Sequence, residues 1–201
     1  MQQKLVGLTG MYCAGKNFVA RLLEARGIPT LDLDKVGHEA IERQKSAIIA
    51  RFGAAIVTPD GRINRKLLGA CVFGKPDELL SLEQIVHPEV NRLAKAWLER
   101  QDAQICVFNA AVLHKAEVFE RLDAIILVKA PLLTRLVRAK KRDRLSWAAL
   151  IRRFQSQRGF TAQYFRQRAD TYDITNRGLR ISALERRLET ILSIIGAKQG
   201  T

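Results

Sequence analysis

The sequence is poor in residue types that would each point to a particular class of protein. Its 201 residues include only three cysteines and 6% aromatic residues. Three cysteines without regular spacing argue against a disulfide framework or a cysteine-based metal cluster, and they are typical of a reducing cytoplasm. Few aromatic side chains also mean few stacking platforms for single-stranded nucleic acid.

Long apolar runs are missing as well. No stretch of about eighteen consecutive apolar residues occurs, so we expect no membrane span. The N-terminus enters a strand pattern without the basic and apolar regions of a signal peptide. Because 47% of the residues are hydrophobic, a normal core is possible, and the length suits one domain with an insertion or lid. We therefore expect a cytoplasmic protein.

Acidic residues are too few to balance the basic ones. The chain has 34 basic and 20 acidic residues and a formal net charge of +14. Such an excess predicts a polyanionic partner, either nucleic acid or a multiply phosphorylated small molecule. The basic residues concentrate between Arg135 and Arg187, and a solvated basic face is an equally good interpretation for most of them. With so few aromatic residues, nucleic acid is the less favoured partner.

The segment from Gly10 to Asn17, GMYCAGKN, matches the phosphate-loop pattern G-x-x-x-x-G-K-[ST] at every position but the last. In this pattern backbone N–H groups surround the phosphates, and the lysine, here Lys16, reaches the β and γ phosphates. A predicted strand over 4–9 precedes it and a predicted helix over 17–26 follows, which places the phosphates at a helix N-terminus. Asn17 replaces a hydroxyl that normally binds Mg²⁺, so we expect metal binding to be weaker or to rely on water and phosphate.

Apolar runs that alternate with helical patterns predict an α/β fold with a parallel sheet of about five strands covered on both faces. The predicted strands are 4–9, 29–33, 104–109, 124–128 and 172–175. About seventy residues separate the second and third strands, which is too long for a simple crossover, and we expect a helical insertion that covers a substrate. The predicted organisation is a core of 1–34, 104–133 and 169–201, an insertion of 35–103 and a lid of 134–168.

Helical spacing of apolar residues predicts several helices outside the phosphate-loop unit. Two lie in the insertion, over 40–52 and 90–100. Another, over 146–159, has Ser146 as its cap. The last helix is predicted to start with a capping box at 182–185 and to pack an apolar stripe into the core.

Two acidic residues end the second predicted strand. Asp32 and Asp34 are two apart, so they would point to one side of an extended chain, near where open sheets bind ligands. A carboxylate there would accept a proton from a hydroxyl that attacks a γ-phosphate, and Arg142 with its basic neighbours would offset the phosphoryl charge. The alternative is that both acids simply cap the next helix. Asn176, after the fifth strand, either faces a purine or lies in a plain turn.

Eight segments, in this order and spacing, make the chain resemble the dephospho-coenzyme A kinase family over essentially its whole length. Each segment alone is a weak signal, but the series is specific. The segments are Gly7-Leu8-Thr9-Gly10 with Gly15-Lys16, Asp32-Leu33-Asp34, DGRINRKLL from Asp60 to Leu68, Val72-Phe73, His87-Pro88, Arg142-Asp143, RFQSQ from Arg153 to Gln157, and ADTYDITNRG from Ala169 to Gly178.

The resemblance implies a P-loop kinase fold and ATP-dependent transfer of phosphate to the ribose 3′-hydroxyl of dephospho-coenzyme A, with ATP and Mg²⁺ as cofactors. It implies three catalytic residues: Lys16 as phosphate clamp, Asp34 as base and Arg142 as lid cation. It also implies two binding sets and a metal ligand. These are Cys13, Ala14, Gly15, Lys16, Asn17, Phe18 and Asn176 for ATP, Asp32, Arg65 and His87 for the acceptor, and Asn17 for the metal.

The chain departs from the family pattern at two places. Asn17-Phe18 stands where the family has Ser-Thr, and AVLHK from Ala111 to Lys115 stands where the family has P-L-L-x-E after the third strand. Two other functions therefore stay open. One is a nucleotide-binding protein without kinase turnover, with RNA as a candidate partner, and the other is a different small-molecule or nucleoside monophosphate kinase.

Overall fold

The computed structural model describes residues 3–111, 121–143, 145–155, 169–178 and 181–197. The chain forms two compact units, which we call the core unit (Met1–Leu31 with Gln101–Thr201) and the helical unit (Asp32–Arg100). The predicted insertion ran from 35 to 103, close to the bounds of the helical unit. The predicted lid, 134–168, falls within the core unit and stays a prediction as a separate part.

A five-stranded sheet in the order β2-β3-β1-β4-β5 forms the centre of the fold. β1 (Lys4–Gly10) pairs in parallel with β3 (Ile105–Asn109) on one side and with β4 (Ala124–Lys129) on the other. β5 (Asp170–Thr175) extends the sheet in parallel from β4, and the short β2 (Thr30–Asp32) lies at the opposite edge. The predicted α/β fold with a parallel sheet is confirmed.

The middle strands are buried on both faces, which explains their near-continuous apolar runs. Val6 and Leu8 of β1 and Ile126 of β4 are fully buried. These strands form an apolar core together with two helices. The helices are α1 (Lys16–Glu24) and α8 (Ile181–Ala197). The stripe predicted on the last helix is confirmed as core packing, and its buried members are Leu184, Leu188, Ile191 and Ile195.

Two further helices of the core unit follow β4. They are α6 (Leu132–Asp143) and α7 (Trp147–Gln155). The Ser146 hydroxyl accepts a hydrogen bond from the Ala149 N–H at 3.3 Å, which confirms the predicted cap. The part of that predicted helix after 155 lies outside the described residues. Within the described ranges, every helix is too short or too polar to cross a bilayer.

The helical unit contains four α-helices and one short 3₁₀ helix among its residues, all of which are described. They are α2 (Leu33–Arg43), α3 (Lys45–Phe52), the 3₁₀ helix Ala54–Ile56, α4 (Arg65–Val72) and α5 (Pro76–Leu98). Ile48, Ile56 and Leu68, each at most 2% exposed, lie in its apolar core. This unit therefore has an apolar core of its own. Such a core agrees with the expectation that a segment of about seventy residues is more than a simple crossover.

Three helix predictions were wrong in their bounds. The helix predicted over 40–52 is divided at Gln44, which ends α2 and precedes α3. The helix predicted over 90–100 is the last part of α5, which runs through Pro88. Proline normally breaks a helix, but here Val86 and Val90 on either side of it pack in the core of the unit. The last helix begins at Ile181, so Ser182 is not its cap.

The end of the second strand also differs from the prediction. β2 stops at Asp32, and α2 begins with the next residue. The Asp32 carboxylate caps this helix by accepting hydrogen bonds from the N–H groups of Asp34 at 3.1 Å and Lys35 at 3.3 Å. The two acids therefore do not share one side of an extended chain, because Asp34 already lies in the first helical turn. The capping alternative is correct for Asp32.

A test of the helical unit concerns the cap of α4. The Asn64 side chain accepts hydrogen bonds from the N–H groups of Lys66 at 3.1 Å and Leu67 at 3.2 Å. We expect Asn64→Ala to lower the free energy of unfolding by about 1 kcal/mol, because two N–H groups lose their acceptor. Urea unfolding measures the change. Asn64→Asp should retain most of the stability, and equal stability of Asn64→Ala and the wild type would contradict the capping role.

Candidate active site

The loop between β1 and α1 has the backbone shape that the sequence motif requires. Cys13 and Gly15 adopt left-handed φ angles of 57° and 95°, and the Ala14 N–H donates to the Met11 carbonyl at 2.9 Å. Gly15 caps α1 without a side-chain hydrogen bond from the described residues, and the first turn contains no acidic residue. The positive end of the helix dipole is therefore available to an anion.

The two glycines of the motif are fixed by close packing. A Cβ at Gly10 would lie 2.8 Å from the Val128 carbonyl oxygen, and a Cβ at Gly15 would lie 2.3 Å from Asn176 Nδ2. The loop thus passes directly against β4 and against the segment after β5. Any side chain at either position would push the loop away from these neighbours.

Arg138 and Asn176 hold the loop from outside. The Ala14 carbonyl accepts one hydrogen bond from Arg138 Nη1 at 3.0 Å and another from Asn176 Nδ2 at 3.1 Å. Arg138 Nη2 also donates to Asn176 Oδ1 at 3.1 Å, and this oxygen accepts the Gly178 N–H as well. The buried Asn176 thus supports the phosphate loop, and its contact with adenine stays a prediction.

Arg135 gives a second contact of α6 with the loop. Its side chain is buried, Nε donates to the Tyr12 carbonyl at 2.8 Å, and the guanidinium lies 4.8 Å from the centre of the Phe154 ring. Burial lowers the pKa of this guanidinium from its ordinary value. Sequence reasoning named Arg135 and Arg138 only as members of a basic region. Their spacing with Arg142, at i, i+3 and i+7, was the signal that could have placed all three on one helix face.

Cys13 lies among these arginines without becoming a thiolate. Burial raises the pKa of the Cys13 thiol above its ordinary value, while the charges of Arg142, Arg135 and Arg138, and of Arg153, lower it by less. At neutral pH the group is therefore a neutral thiol. A reactive thiol needs a lowered pKa, so the raised pKa of Cys13 favours a side chain that only fills the loop.

The remaining predicted donor-site residues lie at the start of α1 or at the end of α6. Lys16 is the first residue of α1 and is half-buried. Phe18 packs against the core, with the Arg21 guanidinium 5.9 Å from its ring centre. Arg142 is 59% exposed and forms an ion pair with Asp143, with Nε 2.7 Å from Oδ1.

The predicted acceptor-site residues and the predicted base, Asp34, lie in the helical unit. Asp32 caps α2, and Asp34 is exposed in the first turn of that helix. Arg65 is exposed at the start of α4, and His87 is half-buried within α5. Their roles stay predictions.

Comparisons with known proteins agree with this geometry. The family model described as dephospho-CoA kinase matches residues 4–178. A dephospho-CoA kinase from Treponema pallidum is 36% identical, and the match covers 94% of each chain. The chain belongs to the dephospho-CoA kinase family. It is thus an ATP-dependent kinase, as the sequence predicted.

Two solved structures extend this result to the fold. A crystal structure of a protein from Thermus thermophilus superposes with a TM-score of 0.83 at 32% identity, covering 96% of this chain and 98% of that one. A dephospho-CoA kinase structure from Campylobacter jejuni gives a TM-score of 0.68 at 20% identity, over 97% and 98% of the two chains, and shows the same fold. The predicted P-loop kinase fold is confirmed.

ATP-dependent phosphoryl transfer typically uses Mg²⁺, so the donor atoms near the loop are compared with what that ion prefers. Asn109 ends β3 and donates from Nδ2 to Asn17 Oδ1 at 3.4 Å. Asn109 Oδ1 is buried and has no hydrogen-bond partner among the described residues. Nor do the described residues contain a group of three or more His, Cys, Asp or Glu side chains suited to a metal. These neutral amide oxygens fit a Mg²⁺ ion whose other ligands are phosphate oxygens and waters.

The close packing of Gly15 gives a test with a built-in control. Gly15 and Gly27 both have left-handed φ angles, 95° and 73°, but a Cβ at Gly27 meets no described atom within 4 Å. Alanine at either position strains the backbone by about 1–2 kcal/mol. Only Gly15→Ala also displaces Asn176, so we expect it to weaken ATP binding at least about tenfold, which is about 1.4 kcal/mol.

Calorimetric titration with an ATP analogue and urea unfolding of both variants measure these effects. Gly27→Ala should lose stability but bind the analogue as the wild type does. Similar affinities of the two variants would show that the approach of Asn176 does not shape the phosphate loop.

Proposed function

We propose that this chain transfers the γ-phosphoryl group of ATP to the ribose 3′-hydroxyl of dephospho-coenzyme A. The observation that carries the proposal is the family match over 4–178, because this range contains every residue predicted to act in the reaction. The phosphate loop, with its left-handed turns and a following helix whose first turn has no acidic residue, supports the donor half of the reaction.

On the donor side, loop N–H groups and the start of α1 bind the β and γ phosphates. Lys16, the first residue of α1, would reach the same oxygens, as the lysine of this motif does in other phosphate loops. Arg135 and Arg138 are engaged with loop carbonyls, so they fix the loop rather than reach the nucleotide. A loop fixed in advance needs little reorganisation when charge develops on the phosphoryl group, which is the main source of electrostatic catalysis.

The transfer itself is an in-line displacement. The acceptor 3′-oxygen forms a bond to the γ-phosphorus while the bond from that phosphorus to the β,γ-bridging oxygen breaks, and the electron pair leaves with ADP. The hydroxyl proton passes to a carboxylate, which we assign to Asp34. Its exposure in the first turn of α2 suits a group that meets a substrate. Mg²⁺, when bound with ATP, neutralises phosphate charge, and Arg142 supplies further positive charge.

The acceptor would be bound by residues of the helical unit. Arg65 is exposed, which suits contact with an anionic acceptor such as dephospho-coenzyme A. His87 is half-buried next to Pro88 in α5 and would line the acceptor site. Asp32 holds the start of α2, so its part in acceptor binding would be to place Asp34.

The first test is a coupled assay of ADP release by the pure protein with ATP, Mg²⁺ and dephospho-coenzyme A. We expect ADP and coenzyme A in equal amounts. Asp34→Asn should lower kcat about 100-fold or more, since a general base contributes factors of that size. The KM for ATP should change little. Glu39→Gln, which alters an exposed carboxylate on the same helix, is the control and should stay active.

Other outcomes of this assay separate the alternatives. ADP release with AMP or adenosine, together with no release with dephospho-coenzyme A, would indicate a different small-molecule kinase. ATP binding without ADP release at millimolar acceptor would indicate a nucleotide-binding protein. Either result would refute the proposed reaction.

The amide at position 17 gives a second test. Asn17→Ser restores the hydroxyl of the motif, so we expect the Mg²⁺ concentration that gives half-maximal activity to fall by up to about tenfold, about 1.4 kcal/mol. Asn17→Ala should not show this gain. Titration of ATP binding against Mg²⁺ gives the same comparison without turnover. An unchanged Mg²⁺ dependence in Asn17→Ser would mean that this side chain does not meet the metal.

A further inference from the structure

Tyr12, in the phosphate loop, contacts two arginines from different helices. The Arg142 guanidinium from α6 lies 5.1 Å from the centre of the Tyr12 ring, and the Arg153 guanidinium from α7 lies 5.3 Å from it. Both distances are within the range of cation–π attraction. One aromatic ring of the loop therefore holds two cations.

The Tyr12 hydroxyl completes the arrangement through Asp143. It donates a hydrogen bond to Asp143 Oδ2 and accepts one from Arg153 Nη1 at 3.2 Å. The same carboxylate pairs with Arg142 at 2.7 Å and with Arg153 at 3.3 Å. Two guanidinium groups share one carboxylate, so the cluster of Tyr12, Arg142, Asp143 and Arg153 has a net positive charge.

Exposure shows that this cluster is more than core packing. The Asp143 side chain is 16% exposed, whereas those of Arg142 and Arg153 are 59% and 52% exposed. The carboxylate is covered, but the guanidinium groups retain surface toward solvent. Guanidinium groups present several donors in a plane and can serve a carboxylate and a phosphate at once.

The contacts on the other side of Tyr12 fix it to the loop support. Its carbonyl accepts the Arg135 Nε hydrogen bond at 2.8 Å, and its ring meets Phe154 edge-on with 5.3 Å between ring centres. Tyr12 thus transmits the position of the phosphate loop to the two exposed arginines. A change of the side chain at position 12 would therefore change the distance between these two guanidinium groups and phosphates bound in the loop.

We propose that Tyr12 is a positioning residue that holds Arg142 and Arg153 over the phosphate loop, where they receive the terminal phosphate of a nucleoside triphosphate. The chain then prefers a triphosphate to a diphosphate because of this aromatic clamp. The inference deepens the proposed function, on which it rests for the identity of the nucleotide. It assigns a role to Tyr12 and Arg153 in addition to that of Arg142.

The experiment compares the affinities for a non-hydrolysable ATP analogue and for ADP, measured by calorimetry in Mg²⁺. Tyr12→Leu removes both the ring and the hydroxyl. We expect the preference for the triphosphate to fall about tenfold, because two cation–π contacts and the hydroxyl bridge are lost together. Tyr12→Phe keeps the ring and should lose about threefold or less by the same reasoning. Arg153→Gln should reduce the preference as Tyr12→Leu does.

Trp147→Leu is the matched control. Trp147 is an exposed aromatic residue whose ring lies 5.2 Å from Lys140 Nζ, so the substitution removes a cation–π contact of the core unit from a different pair. The preference for the triphosphate should stay at the wild-type value. A change equal to that of Tyr12→Leu would mean that loss of any such contact loosens the unit, and the proposal would be wrong.

Kinetics separates a positioning role from a structural one. We expect Tyr12→Phe, which should fold as the wild type does, to raise the KM for ATP with little change in the KM for the acceptor. An unchanged preference for the triphosphate in Tyr12→Leu, Tyr12→Phe and Arg153→Gln would overturn the proposal even if the wild type is an active kinase. If these variants lose the preference while the wild type fails to phosphorylate dephospho-coenzyme A, the role of Tyr12 is supported and only the proposed acceptor is wrong.

Discussion

The phosphate loop depends on the carbonyl oxygen of Ala14. This oxygen accepts hydrogen bonds from Arg138 and Asn176, at 3.0 and 3.1 Å, which come from two segments far apart in the sequence. Because the C=O and N–H of a trans peptide unit point in opposite directions, the Gly15 N–H is turned away from Arg138 and Asn176. The left-handed conformation of Gly15 allows this turn, and the short approach of Asn176 leaves no room for a Cβ there.

The strong positive charge of the chain is explained in part by this support. Arg135 and Arg138 donate hydrogen bonds to loop carbonyls. Arg142 and Arg153 form ion pairs with Asp143, which neutralises part of their charge. Such arginines would suit a phosphate site, because a guanidinium group presents several donors in one plane. The basic region read from the sequence is thus a set of residues with separate partners, and nucleic acid is not needed to account for these four.

The sequence predicted the fold well and the site only in part. Near-continuous apolar strands and the glycine-lysine motif are local signals, so the sheet and the loop followed from them. The support by Arg138 and Asn176 depends on how α6 and the segment after β5 return to the loop, which no local pattern contains. The strand end at Asp32 was misjudged for a different reason: strand and helix share this residue, and its capping hydrogen bonds decide in favour of the helix.

Two neutral amide side chains lie next to each other beside the phosphate loop, one in the first turn of α1 and one at the end of β3. Asn17 and Asn109 are joined at 3.4 Å, and both are neutral at every pH. A metal ion bound beside them receives no negative charge from either side chain, so phosphate oxygens must supply most of the charge that holds it. In the proposed reaction the nucleotide then brings its own metal, and the loop N–H groups, Lys16, Arg142 and Arg153 would balance the remaining phosphate charge. The amide pair contributes no negative charge to hold a metal ion, and the arginines around the loop contribute positive charge. Both features favour a bound phosphate group, which supplies the negative charge.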